Sequence, residues 1–85
     1  MKISIIVTNF NYSKFLDRAI RSAFVQNYPT DKYELIVVDD CSTDKSLEII
    51  ESYGDLISKI YLKNNVGLSK ARNIGVEESN GEYII

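Results

Sequence analysis

The sequence predicts an α/β domain in which helices cover both faces of a mostly parallel sheet, a three-layer sandwich. Short runs of β-branched and apolar residues alternate along the chain with segments whose apolar residues recur at helical spacing. The order strand–helix–strand–helix–strand–helix–strand implies right-handed crossovers between parallel strands. With 85 residues, of which 45% are hydrophobic and 26% charged, the chain is expected to be one globular domain or part of one.

The first strand is predicted at residues 3–7, which are almost continuously apolar. Turn-forming residues 9–12 follow, and Ser13 is placed to cap a helix that continues to about Gln26. The apolar stripe of this helix is predicted to contain Phe15, Leu16, Ala19, Ile20, Ala23 and Phe24. Residues 27–31 include the single proline and are expected to end the helix.

The second strand is predicted at residues 35–38. Ser42 or Thr43 is the expected N-cap of the next helix, with Asp44 in its first turn, where a negative charge suits the helix dipole. The buried side of that helix is predicted to contain Leu47, Ile50 and Tyr53.

The last three elements are predicted as a strand at residues 57–62, a helix at about residues 68–79 and the beginning of a strand at residues 82–85. In the third helix Ala71 and Gly75 are four residues apart, so they share a face that can approach the sheet closely. Arg72 neighbours that face. Its guanidinium could reach a phosphate or a base carbonyl, or it could be a solvated surface arginine.

Composition excludes several classes of function. The formal net charge is −2 and the basic residues are scattered, so no nucleic-acid partner is expected. The longest apolar run is far short of the ~20 residues that span a bilayer. With a single cysteine, Cys41, and no cleavable signal pattern, a cytoplasmic location is expected. The chain has no histidine, the commonest general base and metal ligand.

Polar residues follow the first two predicted strands, at the point where each strand ends. Asp39 and Asp40 come directly after the second strand, and residues 8–11 follow the first. Open parallel sheets bind ligands beyond the carboxyl ends of their strands, so these groups are expected to be neighbours at a binding edge. Asp40 could equally be a turn acid, and Asn11 could equally stabilise its own turn. A second carboxylate at Asp39 adds repulsion that capping does not require.

Three stretches, in this order, resemble the family 2 glycosyltransferases: IVTNFN at residues 6–11, VDDCSTD at 38–44 and GLSKARNIG at 67–75. The resemblance covers essentially the whole chain and implies a GT-A fold. Residues 1–85 would then be its N-terminal nucleotide-sugar-binding part, a Rossmann-like half cut short in the fourth strand. The implied activity is inverting glycosyl transfer from a nucleotide-sugar, most often a UDP-sugar, to an unidentified acceptor, for example in polysaccharide biosynthesis.

The resemblance also implies a nucleotide-binding site. Asp39 matches the family's base-reading acid, and a carboxylate is a good partner for the N3–H of uracil. Phe10 matches an aromatic position, often tyrosine, that packs against the base. Arg72 matches an arginine that contacts the nucleotide.

Thr8 and Asn11 belong to the same implied nucleotide loop, Thr8 standing where many members have proline. Asp40 is carried over as a loop organiser or a neighbour of the ribose. Cys41 stands where glycine is common, so its backbone is expected to avoid conformations that only glycine adopts.

In the family, the strand that begins here at residue 82 leads into an Asp-x-Asp motif that binds Mg²⁺ or Mn²⁺. The 85 residues contain no such motif, so no catalytic or metal-binding residue is assigned and the chain alone is expected to be inactive. A parent enzyme could work at the inner membrane face. The short fourth strand would leave a sheet edge open to self-association.

Two alternatives come from other classes of protein. A receiver-like signalling module would have its acid pair after the first strand and a further aspartate after the third, where this chain has residues 62–64, Leu-Lys-Asn. A non-catalytic nucleotide-binding module would differ from the main interpretation only if the parent protein lacks an Asp-x-Asp motif. A Rossmann dehydrogenase is disfavoured, because no Gly-x-Gly-x-x-Gly follows the first strand.

Overall fold

The computed structural model describes residues 3–24, 32–81 and 83–84, and within them the predicted order of elements is confirmed. The strands are β1 (Ile3–Asn9), β2 (Tyr33–Asp39), β3 (Ser58–Tyr61) and β4 (Tyr83–Ile84). The helices are α1 (Ser13–Phe24), α2 (Ser46–Ser52) and α3 (Leu68–Glu78), and a short 3-10 helix (Gly54–Leu56) joins α2 to β3. The predicted end of the first helix near Gln26 and the break at residues 27–31 lie outside the described residues.

The described strands form one parallel sheet in the order β3-β2-β1-β4, which confirms the predicted α/β class. β1 and β2 pair along their whole length, from Ile3 opposite Tyr33 to Asn9 opposite Asp39. β4 pairs with β1 at Ile3 and Ser4. Because the strands are parallel, the segments that follow β1, β2 and β3 all emerge at one edge of the sheet, its carboxyl edge.

Successive residues of the two central strands face opposite helical layers. The larger core cluster lies between the sheet and the α1–α2 layer and contains Ile5, Leu16, Ile20, Ala23, Tyr33, Leu35, Val37, Ile50 and Ile57. The smaller cluster lies between the sheet and α3 and contains Ile6, Ile36, Val38 and Ala71. The two clusters, one on each face of the sheet, make the domain a three-layer sandwich, as predicted.

Helix α3 lies close against the sheet through its small residues. Ala71 is fully buried, and a Cβ added to Gly75 would lie 2.8 Å from Ile6 Cγ2 and 3.1 Å from Val38 Cγ2. The prediction that Ala71 and Gly75 form the face that approaches the sheet is therefore confirmed.

The buried stripes of α1 and α2 are narrower than the sequence predicts. Leu16, Ile20 and Ala23 of α1 are buried, whereas Phe15 is 59% exposed and Ala19 is also exposed. In α2 Leu47 is exposed as well. These helices contact the sheet along one face only. Phe15 and Ala19 directly precede the buried Leu16 and Ile20, and successive residues of a helix point about 100° apart, so they point away from that face.

Among the described residues, no helix is both long enough and apolar enough to cross a membrane.

Candidate functional site

Asn9 and Asp39 bring the ends of the two central strands together. They are the last residues of β1 and β2 and lie opposite each other in the parallel register. The Asn9 Nδ2 donates a 2.9 Å hydrogen bond to Asp39 Oδ1, and both side chains are almost fully buried. The Asp39 carboxylate is thus held by a neighbouring strand rather than free in solvent.

Ser42 adds three further contacts to this pair. Its hydroxyl donates to Asp39 Oδ1 at 2.6 Å, and its backbone N–H donates to Asp39 Oδ2 at 2.9 Å. The same hydroxyl accepts hydrogen bonds from Asn9 Nδ2 at 3.2 Å and from the backbone N–H of Asn11 at 3.0 Å. Ser42 therefore joins the β1–α1 loop to the β2–α2 loop, and the prediction that it caps α2 is wrong.

Asn11 connects the two loops in the opposite direction. Its Oδ1 accepts hydrogen bonds from the backbone N–H groups of Thr43 and Asp44 at 2.7 and 3.3 Å. Its φ of 54° lies in the left-handed region, which asparagine tolerates better than most residues. These contacts hold the β2–α2 loop rather than the turn in which Asn11 itself lies, and contact of Asn11 with a ligand stays a prediction.

Asp44 bonds the first turns of two helices. Its Oδ2 accepts from the N–H of Ser13 at 3.0 Å, and its Oδ1 accepts from the N–H of Ser46 at 2.9 Å. Partial desolvation raises the pKa of Asp44, but the hydrogen bonds from Ser46 and Ser13 outweigh it and lower the pKa to about 2. One carboxylate thus accepts hydrogen bonds from N–H groups that have no partner within the helix, at the beginning of both α1 and α2.

The predicted caps are corrected by these contacts. The carbonyl of Tyr12 accepts the first helical hydrogen bonds of α1, from the N–H groups of residues 15 and 16, so Tyr12 rather than Ser13 is the N-cap. Lys45 is the N-cap of α2, in place of Ser42 or Thr43. The sequence rule fails here because the capping side chain of α1 comes from a different loop, 31 residues away.

Asp40 holds the loop that leads into α3. It is fully buried, and its two carboxylate oxygens accept from the backbone N–H groups of Val66 and Gly67 at 2.8 and 2.9 Å. These are the contacts of a loop organiser. The two adjacent acids therefore bond different segments. Asp39 bonds residues on the α1–α2 side of the sheet, and Asp40 bonds the segment before α3 on the other side.

The remaining predicted site residues are more accessible. Phe10 is 36% exposed at the rim of the β1–α1 loop, and Thr8 is half-buried near the end of β1. Arg72 is exposed on α3, one residue after the buried Ala71. The structure thus places all six predicted residues on segments that follow or end the strands at the carboxyl edge, and Phe10, Asn11 and Arg72 are the exposed ones.

Sequence reasoning placed Asn9 at this edge without a contact, and it missed the bonds by which Ser42 and Asp44 join the two loops. The Asn9–Asp39 contact follows from the register of β1 and β2, which puts their final residues side by side. The bonds from Ser42 to Asn11 and from Asp44 to Ser13 each join residues 31 positions apart and had no local signal.

Cys41 lies at the turn between the two acids and the helix that follows. Its φ of 65° is in the left-handed region, and its Sγ is 3.4 Å from the carbonyl oxygen of Lys63. The expectation for this residue holds only in part, because left-handed backbone favours glycine but admits other residues at a cost of about 1–2 kcal/mol.

Metal ligands are not assembled in the part of the chain that the structure describes. There, no group of three or more Asp, Glu or Cys side chains converges on a common point. Asp39 and Asp40 already accept hydrogen bonds from protein donors on both oxygens. The described residues therefore do not fit a Mg²⁺ or Mn²⁺ site.

A parallel sheet between two helical layers, with polar side chains gathered at its carboxyl edge, is the architecture of an open α/β domain. Residues 4–85 match Glycosyl transferase family 2, and the chain belongs to that family.

Two relatives from bacteria carry glycosyltransferase names. The chain is 36% identical over 91 residues to the poly(ribitol-phosphate) beta-N-acetylglucosaminyltransferase TarS of Staphylococcus aureus, a match that covers all of the chain and 15% of TarS. It is 44% identical over 86 residues to the cholesterol galactosyltransferase of Borreliella burgdorferi, covering 99% of the chain and 24% of that protein. The chain thus spans less than a third of the length of either relative.

Solved structures of glycosyltransferases share the fold. TarS residues 1–349 in complex with UDP-GlcNAc superimpose with a TM-score of 0.91 at 35% identity, covering all of this chain and 25% of that one. The mannosyltransferase PcManGT of Pyrobaculum calidifontis, in complex with GDP-Man and Mn²⁺, gives a TM-score of 0.87 at 26% identity, covering 98% of this chain and 26% of that one. These likenesses confirm the predicted GT-A type of fold.

Proposed function

We propose that this chain binds the nucleotide of a nucleotide-sugar donor, UDP in particular, within a glycosyltransferase. The observation that carries the proposal is the hydrogen-bonded junction of the β1–α1 and β2–α2 loops at the carboxyl edge, with Phe10 exposed on it. A rigid polar edge with an accessible aromatic ring suits a flat base that carries hydrogen-bonding groups.

Base recognition is assigned to Phe10 and Asp39. The ring of Phe10 offers a face on which a base can stack. A carboxylate has about four lone-pair sites, and Asp39 uses three of them for Asn9 and the two donors of Ser42. The N3–H of uracil would take the remaining site of Asp39, with the acid already held in place.

Arg72 and Asp40 are assigned to the rest of the nucleotide. Arg72 is exposed on α3, where its guanidinium can donate to a diphosphate or to a base carbonyl. Asp40 supports the α3 side of the site by holding residues 66 and 67, and it is the proposed neighbour of the ribose. Thr8 and Asn11 complete the site at the end of β1 and in the loop that follows.

The solved relatives support the choice of ligand. TarS has been crystallised with UDP and with UDP-GlcNAc, and PcManGT with GDP-Man. The relative with the higher sequence identity, 35% against 26%, is the one crystallised with UDP and UDP-GlcNAc, and this supports UDP as the first ligand to test.

The parent reaction would be transfer of the sugar to an acceptor, for instance a polymer such as the poly(ribitol-phosphate) in the name of TarS, and a role in polysaccharide biosynthesis would fit the name of TuaG, a putative teichuronic acid biosynthesis glycosyltransferase. We assign donor binding, and no catalytic step, to the described residues, because they do not fit the metal that the family's reaction uses. Inactivity of the chain alone, a cytoplasmic location and self-association through an open sheet edge stay predictions.

Isothermal titration calorimetry with UDP tests the proposal. Phe10→Ala is expected to weaken binding about tenfold, since stacking on an aromatic ring is worth ~1–3 kcal/mol per base, whereas Phe10→Tyr keeps the ring and the affinity. Arg72→Ala is also expected to weaken binding about tenfold, because it removes charge-assisted hydrogen bonds. Asp39→Ala is a poorer probe, since it would also release Asn9 and Ser42.

The matched control is Arg18→Ala, which removes an exposed arginine from α1 rather than from α3. It should leave the affinity for UDP unchanged. Equal affinities for the wild type, Phe10→Ala and Arg72→Ala would contradict the proposed site, and absence of UDP binding by the folded wild type would contradict the proposed function.

A further inference from the structure

We infer that Ser42 is a positioning residue that holds the Phe10 turn and the Asp39 carboxylate in one fixed relation. The inference rests on the proposed function, because it concerns how the ring and the acid act together on the base. Ser42 itself is half-buried and is not proposed to touch the nucleotide.

The hydroxyl of Ser42 uses its whole hydrogen-bonding capacity at this junction. A serine hydroxyl has one donor and two acceptor sites. The donor goes to Asp39 Oδ1, and the acceptor sites take the Asn9 side-chain amide and the Asn11 backbone N–H. Loss of the hydroxyl would therefore break three contacts at once.

The contacts of Ser42 lie on both sides of Phe10 in the chain. Asn9 and Asn11 flank Phe10 directly, so the Ser42 hydroxyl accepts from the residues on both sides of the aromatic ring. The ring is more than a third exposed, so core packing does little to orient it. Its orientation relative to the acid therefore depends on the two flanking hydrogen bonds.

Other contacts between the loops replace only part of this link. Asn9 bonds Asp39 directly, whereas Asn11 Oδ1 bonds the N–H groups of Thr43 and Asp44 in the outer part of the loops. Within the described hydrogen bonds, Ser42 is the residue that contacts Asp39 and both neighbours of Phe10. Removing its hydroxyl should leave Asn9 bonded to the acid, while the Asn11 side of the Phe10 turn loses its connection to the acid.

The test is a double-mutant cycle on UDP affinity, measured by calorimetry with the wild type, Ser42→Ala, Phe10→Ala and the double variant. Ser42→Ala is expected to weaken UDP binding about tenfold when Phe10 is present. In the Phe10→Ala background the same change should weaken UDP binding by about threefold or less, because there is no ring left to misplace. Ser42→Thr keeps the hydroxyl and should restore most of the affinity.

A merely structural serine gives a different result. General loosening of the fold would lower the affinity by the same factor with and without Phe10, so additive losses overturn the inference, as does unchanged binding in Ser42→Ala. If Ser42→Ala does not fold, Ser42→Cys keeps the side-chain volume with weaker hydrogen bonds and enters the same cycle. Absence of UDP binding by the wild type would instead overturn the proposed function, so the two failures are distinguishable.

Discussion

At the scale of single residues, the carboxyl edge is organised by short polar side chains that bond backbone groups of other loops. Asp40 holds the segment before α3, Asp44 holds the beginnings of α1 and α2, and Ser42 joins Asp39 to the Phe10 turn. The two adjacent acids of the sequence thus have separate structural partners. Asp40 bonds residues 26 and 27 positions further along the chain, and the Ser42–Asn11 and Asp44–Ser13 bonds each join residues 31 positions apart. For that reason the sequence could nominate Asp39 and Asp40 but not these long-range contacts.

Cys41 is predicted to limit stability through its backbone. Its φ of 65° costs a residue with a Cβ about 1–2 kcal/mol, and glycine would not have this cost. Part of the gain is offset because glycine has more conformational freedom in the unfolded chain. Cys41→Gly should therefore raise the free energy of unfolding by about 0.5–1 kcal/mol in urea denaturation. Cys41→Ala, which keeps the Cβ, is the control and should not be stabilising. A less stable glycine variant would contradict the account.

Asp44 is predicted to make stability fall in acid. Its folded-state pKa of about 2 lies below the ordinary value of 3.8, so its stabilising contribution is complete above about pH 4 and is lost as the pH falls towards 2. The free energy of unfolding, measured at a series of pH values, should therefore fall less steeply over this interval in Asp44→Asn than in the wild type. Because Asp44 is exposed, added salt should reduce the difference. Parallel pH profiles of the two proteins would show that Asp44 does not carry this dependence.

At the scale of elements, the central strands and the face of α3 follow from local pattern, whereas the helix beginnings do not. The apolar runs predict β1 and β2, and the spacing of Ala71 and Gly75 predicts the close approach of α3. The first turn of α1 depends on Asp44 from the next loop, and Phe15 is exposed because α1 contacts the sheet along a single face. Such contacts between separate segments cannot be predicted from the local sequence.

Gly75→Ala is predicted to destabilise the domain although alanine favours helix by ~1 kcal/mol. The new methyl group would approach Ile6 Cγ2 to 2.8 Å and Val38 Cγ2 to 3.1 Å, and these β-branched side chains adapt poorly. A net loss of about 1–2 kcal/mol is expected from overpacking, measured by urea denaturation. Asn73→Ala, at an exposed position of the same helix, is the control and should be neutral or slightly stabilising. A stabilised Gly75→Ala variant would show that α3 is not tightly packed on the sheet.

At the scale of the whole molecule, the two edges of the sheet differ in how their polar groups are used. At the amino edge Ser4 donates to Glu34 at 2.7 Å and accepts from the N–H of Gly81 at 2.8 Å, and Glu34 also accepts from the N–H of Asn80 at 2.7 Å. Those groups hold the segment that leads into β4. At the carboxyl edge the hydrogen bonds instead join the β1–α1 loop to the β2–α2 loop, and this is the edge at which we propose that the nucleotide binds.

The fold class, the layer order and the segments of the candidate site could be predicted from this sequence, because parallel α/β architecture follows from the alternation of apolar strands and amphipathic helices. The backbone partners of Asp40, which are Val66 and Gly67, could not be predicted, because they lie 26 and 27 residues further along the chain. The left-handed backbone at Cys41 has no signal in a cysteine either.

The central claim is that the carboxyl edge binds a nucleotide, and the most direct test is a titration of the labelled protein followed by backbone amide shifts. UDP, GDP, CDP and dTDP would be added in turn, with and without Mn²⁺. We predict the largest shifts with UDP, at residues 8–11, 39–44 and 72, with none at Ser4, Glu34 and Gly81 of the amino edge. Shifts centred on the amino edge, or no shifts in a folded protein at millimolar UDP, would contradict the claim.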